Sequence, residues 1–422
     1  MSGAVWVHGA HQLLAATPDG NSGWRLELLH DAAVLVEGGI LRRVGPSREV
    51  PPPPAGPGGT ILDASGCLIT AGFVDCHTHA IFAGDRAAEF QLRARGADYS
   101  EILAFGGGIH STVAATRRAS EDDLVRTAIP RLQTMLQHGT TTAEIKSGYG
   151  LSRLDELKML RAIRRLKEDA AANGPLPDII PTFLGAHVVP DEFKADRQGY
   201  LDLLLSMLPE VRRDGLAQFV DVFCDTGAFT PAETLQLLTA AKREGFGLKV
   251  HADELSHTGI VPEAARLGAT SVDHVVHTSP VDIRALAQSS AVAVLLPNTT
   301  FSLMQAKYAP ARAFLDAGVP VALATDFNPG TSFCPNLQQV LMLAVTQLKM
   351  TPIEALAGVT VNAARALGLA DRGALYAGQR ADLIIWDVPS IEYFGYYQGV
   401  NSVHTVIQNG RVAFASSSRN IS

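Results

Sequence analysis

The chain is poor in cysteine and in charge. Its four cysteines, Cys67, Cys76, Cys224 and Cys334, are scattered over 422 residues and form no CxxC pair. That argues against a disulfide framework, and reduced thiols in a cytoplasmic protein are the simplest reading. Charged residues make up only 18% of the chain, with a net charge of −7. Lys and Arg are dispersed rather than striped, which excludes nucleic acid as a partner. No apolar run reaches the roughly 18 residues of a membrane span. The opening Met1-Ser-Gly-Ala-Val-Trp-Val-His8 lacks the basic start and apolar stretch of a signal peptide. Apolar residues, by contrast, make up 47%. In a chain of this length they can fill a large barrel or two domains.

Short β-branched runs that end in polar residues alternate with helical stretches. The runs are Phe73–His79, Thr140–Lys146, Asp178–His187, Phe219–Asp225, Phe246–Ala252, Thr270–Val276, Ala291–Asn298 and Val319–Phe327. Between them lie amphipathic segments such as Arg153–Leu166, and Thr230-Pro-Ala-Glu233 reads as a capped helix start. Eight such alternations predict a (β/α)8 TIM barrel, whose active site forms at the C-terminal ends of the strands.

The two chain ends have a different texture. Residues 1–66 read as strands and turns, with a hairpin around Gly38-Gly39 and a stiff loop over Pro51–Gly59. Residues 367–422 repeat it, with Ala381–Trp386, Val403–Val412 and the hairpin turn Asn409-Gly410. The ends are expected to pair into one small β-sandwich, with the barrel of residues 67–366 inserted between its halves.

The segment Asp75-Cys-His-Thr-His79 carries the most chemistry. Side chains alternate along a strand, so His77 and His79 share a face and form half of a transition-metal site. His251 and Asp326 close two further runs. Three imidazoles and a carboxylate suit zinc, with iron or manganese as alternatives. Asp326 can also take a proton from water and return it to a leaving nitrogen; the bland alternative is a helix N-cap. Alternation points Cys76 away from the two histidines, against a fifth ligand.

These residues resemble the amidohydrolase superfamily, in which His-x-His follows strand one, a His follows each of strands five and six, and an Asp follows strand eight. Here those are His77 and His79, His251, His274 and Asp326. Many two-metal members carry a bridging Lys after strand four. Here that strand ends Phe223-Cys-Asp225, which implies one zinc or iron ion per chain. Within the superfamily, Phe73–Arg86, Glu144–Leu151, Phe183–His187, His251–Glu254 and Ala324–Ser332 look like the imidazolonepropionase family. The resemblance implies hydrolysis of 4-imidazolone-5-propanoate, a small acidic substrate, to N-formimidoyl-L-glutamate in histidine degradation.

It also implies roles. His274 would orient the water or bind the developing oxyanion, unless it is a structural hydrogen bonder. Glu254 would act as acid or base or touch substrate, unless it is a surface carboxylate. Arg86, Tyr149 and His187 would contact substrate, with Arg86 as a fork for the propanoate; its alternative is an ion pair with Asp85 or Glu89. Asn328, Gly330 and Thr331 match the family's substrate loop. Gly106-Gly-Gly108 is a turn or a lid, and Arg161–Arg165 with Asp155, Glu156, Glu168 and Asp169 reads as a solvated helix face. A homodimer is expected. The rival is a mononuclear deaminase of cytosine or guanine type, whose neutral base needs no cation at position 86.

Overall fold

In a computed structural model, which describes residues 3–20, 23–53, 59–96, 107–168 and 173–417, the apolar runs pair side by side in chain order. Barrel strands one to eight are Phe73–Asp75, Thr140–Lys146, Asp178–Ala186, Phe219–Cys224, Gly247–Ala252, Ser271–His274, Val292–Leu295 and Val321–Leu323. All neighbours are parallel. Between strands eight and one the barrel closes through the segments that leave them. Thr78 bridges Phe327, the Asp326 N–H donates to the His77 carbonyl at 3.0 Å, and the His79 N–H donates to the Phe327 carbonyl at 2.9 Å. Strand one stops at Asp75, so His77 and His79 stand just beyond it, on the seam where Asp326 also lies.

The helices begin where the chemistry of their first residues dictates. Thr230 accepts from the Glu233 N–H and Glu233 returns the bond, capping Pro231–Arg243. Ser120 with Asp123 and Ser279 with Asp282 do the same for Glu121–Gln137 and Pro280–Ala287. The helix Arg153–Glu168 buries Leu157, Leu160, Ile163 and Leu166. Arg161 and Arg165 face outward to pair with Glu121 and Asp122. Glu156 departs from the solvated face expected of it: it is fully buried.

Both ends build a second sheet. Val5–Pro18, Trp24–Glu37, Ile40–Pro46, Thr60–Asp63 and Leu68–Ala71 come from the front, and Leu383–Trp386, Val403–Gln408 and Arg411–Ala415 from the back. The halves join where Leu68–Ala71 runs antiparallel to Leu383–Trp386. By its pairing Leu68–Ala71 belongs to this sheet, although it lies within the stretch 67–366, and barrel pairing starts at Phe73. Both hairpins need left-handed backbone: Gly38 and Gly39 have φ of 60° and 81°, and Asn409 and Gly410 have 49° and 71°. The fold is a (β/α)8 barrel with a small β domain from both termini. Cys76, Cys224 and Cys334 are free thiols. Residues 54–58, Gly106 and Asp169 lie outside the described residues.

Candidate active site

At the open end of the strands, His77, His79, His251 and His274 crowd together. The ring centroids of His77 and His251 are 4.4 Å apart, those of His251 and His274 5.2 Å, and those of His77 and His79 5.4 Å. All four residues are buried. Nε2 of His77, His251 and His274 and Nδ1 of His79 have no hydrogen-bond partner. Buried polar atoms without partners are rare and call for an explanation. Asp326 stands over them, its Oδ1 3.5 Å from His77 Nε2 and 3.4 Å from His79 Nε2. Two ligand groups emerge, His77–His251–His274 and His77–His79–Asp326, with ligand atoms in each within 4.8 Å of one another. Buried imidazoles gathered around His77, with a carboxylate beside two of them, fit a bound transition metal ion.

The electrostatics agree. Burial first, helped by the Lys146 ammonium, pushes His79 down to about 3. Burial also takes His274 to about 3 and His251 to about 4, and holds His77 well below its ordinary value. Neutral imidazole is the form that binds metal.

Backbone strain gathers in the same place. Asp253, His274, Val275 and Asp326 all have left-handed φ, 53°, 73°, 48° and 50°. At His274 this breaks the alternation of strand six, so that neighbouring residues both face the site. Asp273 reaches His77 Nδ1 at 2.6 Å, while His274 joins the cluster. His277 lies apart, with Nδ1 3.1 Å from Lys307 Nζ. Cys76 packs among Val74, Ile180, Phe219 and Val292 rather than with the ligands.

Glu254 is not a surface carboxylate: its side chain is 12% exposed, and Oε2 lies 3.6 Å from His274 Nε2. Burial, then Asp326 and Asp225, pushes its carboxyl well above the usual range. Tyr149 and His187 lie beside His79, with ring centroids at 5.9 Å and 5.2 Å. Burial keeps the Tyr149 phenol protonated. His187 Nδ1 lies 3.0 Å from the Gly148 carbonyl.

Arg86 does pair with Glu89, but out of solvent: the two side chains are 11% and 6% exposed. Its Nε donates to Glu89 Oε2 at 2.7 Å, and Nη2 donates to Oε1. Arg93 and the Gly108 N–H also reach Glu89. The fork is therefore occupied, and Nη1 is the end left facing Gly330, where a Cβ would come within 1.9 Å of it. Arg86, Gly330 and Thr331 line a cavity of about 790 Å³ with Phe90, Phe301 and Phe333. Asn328 spends its side chain on its own loop. Its amide donates to the Asp326 carbonyl and Thr331 Oγ1, and its oxygen accepts from the N–H groups of Gly330 and Thr331.

Several residues that matter here had gone unassigned. Thr299 donates to Asp326 Oδ2 at 2.6 Å. Glu156 accepts from the N–H groups of Gly148, Gly150 and Leu151 and so fixes the loop that carries Tyr149. Asp221 and Asp273 lie behind His251 and His77. A charged residue inside an otherwise apolar strand was the available signal for the aspartates; nothing marked Thr299.

Known proteins give the family. The imidazolonepropionase of Symbiobacterium thermophilum is 45% identical over 416 residues, covering 96% of each chain. That of Bacillus velezensis is 47% identical over 352 residues, 83% of this chain and 82% of that one. Among solved structures, 5-methylcytosine deaminase from Klebsiella pneumoniae superposes with a TM-score of 0.72 at 19% identity, covering 99% of both chains. A zinc-bound adenosine deaminase from Xanthomonas campestris gives 0.68 at 16%, covering 97% of this chain and 94% of that one. These distant likenesses carry the fold alone. Residues 68–413 match the amidohydrolase family, and with identity this high running through barrel and terminal sheet alike, the chain belongs to that family and, within it, to the imidazolonepropionases.

Proposed function

We propose how this site opens an imidazolone ring. The chain is a hydrolase of the C–N bond in a cyclic amide, converting 4-imidazolone-5-propanoate and water to N-formimidoyl-L-glutamate. One zinc or iron ion is held by His77, His79, His251 and Asp326. The observation that carries this is that His77, whose buried Nε2 is unpartnered, belongs both to a ligand group with His251 and His274 and to one with His79 and Asp326. Strand four supplies no lysine at its end, which supports a single ion. When bound, such an ion acidifies water and polarises a carbonyl.

Asp326 receives the proton of the attacking water and delivers it to the ring nitrogen as the amide bond breaks. Thr299 pins Oδ2, leaving Oδ1 toward His77 and His79. Neutral His274, donating through Nε2, steadies the oxygen of the carbonyl under attack. Glu254, whose carboxyl burial raises and which lies 3.6 Å from His274 Nε2, donates beside it to the same oxygen. Arg86 Nη1, Tyr149 and His187 bind the substrate's polar edge and propanoate. Gly330 and Thr331 wall that subsite, and Asn328 shapes the loop that carries them.

Cytoplasmic residence, supported by the free thiols of Cys76, Cys224 and Cys334, and a homodimer complete the proposal. Sedimentation of the purified chain checks the dimer. For the reaction, ultraviolet decay of imidazolonepropanoate should stop with chelator and return with one equivalent of ion. Full turnover by metal-free protein would overturn the metal's role, and turnover of cytosine or guanine instead would favour a deaminase.

A further inference from the structure

Beneath the histidines the barrel interior departs from the branched aliphatic filling usual for this fold. Glu144, Lys146, Asp221, Lys249 and Asp273, from strands two, four, five and six, are fully buried. Lys146 Nζ lies 2.7 Å from Asp221 Oδ2 and 2.8 Å from Glu144 Oε2. Lys249 Nζ donates to the Cys76 carbonyl at 2.9 Å and lies 3.6 Å from both Glu144 Oε2 and Asp273 Oδ2. The same two aspartate oxygens continue upward. Asp221 Oδ2 is 3.0 Å from His251 Nδ1, and Asp273 Oδ2 is 2.6 Å from His77 Nδ1. The layer is thus two parallel relays, Lys146–Asp221–His251 and Lys249–Asp273–His77. Glu144 touches both lysines and is itself anchored by the Thr182 hydroxyl.

A well-packed apolar layer would hold a fold at least as well as buried ions, because desolvating charges offsets their attraction. The use of this layer therefore lies in what it touches, and both relays end on ring nitrogens of the ligand cluster.

We infer that Lys146 and Lys249 are positioning residues for the metal centre, each fixing an aspartate that in turn fixes a ligand histidine. The inference rests on the ion-binding reading above and deepens it. With Asp273 accepting the Nδ1–H of His77, and Asp221 Oδ2 within 3.0 Å of Nδ1 of His251, the Nε2 lone pairs of both rings are aimed together into the site. Three carboxylates against two ammonium groups also leave one formal negative charge below the ring of ligands, complementary to a cation above it.

The test uses the full chain stripped of metal and titrated with Zn²⁺ against a competing chelator. Circular dichroism melts of the metal-free proteins and the visible spectrum after Co²⁺ loading run alongside. Lys249→Met and Lys146→Met are each expected to weaken Zn²⁺ binding by about 10- to 100-fold, the usual cost of losing an outer partner of a ligand histidine. Both should also change the Co²⁺ spectrum. Asp273→Asn should give a similar loss. Adding Lys249→Met to Asp273→Asn should then cost little more, because the lysine acts through the aspartate. The double variant is charge-balanced and serves if Lys249→Met alone does not fold. Unchanged Zn²⁺ affinity and Co²⁺ spectrum, or a further tenfold loss in the double variant over Asp273→Asn, would overturn the inference. So would a fall in metal-free melting temperature with no change in Zn²⁺ affinity. If the unaltered chain binds no Zn²⁺, the reading above fails instead.

Discussion

In the terminal sheet, Leu13, Ile69, Leu383, Ile385 and Ile407 pack as an aliphatic cluster. At the centre of the barrel, equally hidden from water, sit Glu144, Lys146, Asp221, Lys249 and Asp273. The sheet gains stability from every methylene it buries. The barrel centre gives stability up to desolvation and recovers only part of it through pairing. Substitutions in the sheet should therefore read out as stability, and those at the strand ends as chemistry. The sharpest break in that contrast comes from Asp326→Asn. The amide retains a ligand oxygen but cannot shuttle a proton, so turnover should fall by about 10²- to 10⁴-fold with metal still bound. Near-normal kcat in metal-replete protein would take Asp326 out of the proton path.

Arg86→Met comes next. Removing a cation that faces a carboxylate in a partly desolvated pocket should raise KM for the acidic imidazolone by roughly 30- to 1000-fold. A neutral analogue should be affected far less. Because Glu89 holds the fork of Arg86, the same change strands a buried carboxylate on Arg93 and Gly108. A lower melting temperature should accompany the KM effect, mixing the two kinds of readout at one position. An unchanged KM for the acidic substrate would move the carboxylate contact elsewhere, with His187 the next residue to test.

Leu383→Ala is the counterpart in the sheet. Leu383 is fully buried where the two chain ends join. Truncation should cost about 2–5 kcal/mol in a urea melt while leaving kcat per folded molecule unchanged. A loss of kcat at full folding would show that the terminal sheet governs the strand ends.

How much of this could be read from the chain depends on what each feature requires. Barrel strands announce themselves by local composition, and the turns at Gly38-Gly39 and Asn409-Gly410 by backbone conformations that few residues tolerate. His77, His79 and Asp326 stand just past such a strand and His251 near the end of one, so their sharing one end of the barrel could be read from the chain. Relationships between strands were not. That Asp273 would meet His77, or Lys146 meet Asp221, depends on register across the barrel, which no single segment encodes. Glu156 looked like one acid on an amphipathic helix; only the folded loop brings three N–H groups to it. Asn328 shows the reverse case, a residue whose motif points to substrate while its side chain closes its own turn.

Acid separates the regions again. The imidazoles of His79, His187, His251 and His274 are depressed below 6.5, each chiefly by burial. A depressed group contributes stability that is present above its unfolded value and lost as pH falls toward its folded one. Metal-free protein should therefore weaken as pH drops below about 6.5 and on toward 4. Urea midpoints that stay flat between pH 7 and 4.5 would contradict it.

His257 is the surface opposite of those histidines and gives the smallest expected effect. It follows strand five on a partly exposed segment, and its side chain is 49% exposed. Its Nε2 lies 2.7 Å from Asp282 Oδ2, the same carboxylate that closes the capping box with Ser279. That hydrogen bond is the main cause raising the His257 value above 6.5, with burial opposing it. The sign is thus reversed: the pair stabilises fully below about 6.5 and is lost as pH rises through the raised folded value. Solvent screens an exposed pair, so its worth is about 0.2–1 kcal/mol. His257→Gln should lower stability by that amount at pH 5.5 and by nearly nothing at pH 9, with KM and kcat unmoved at either. A stability gap that grew with pH, or a loss of activity, would mean that His257 belongs with the buried histidines of the barrel end rather than with the surface.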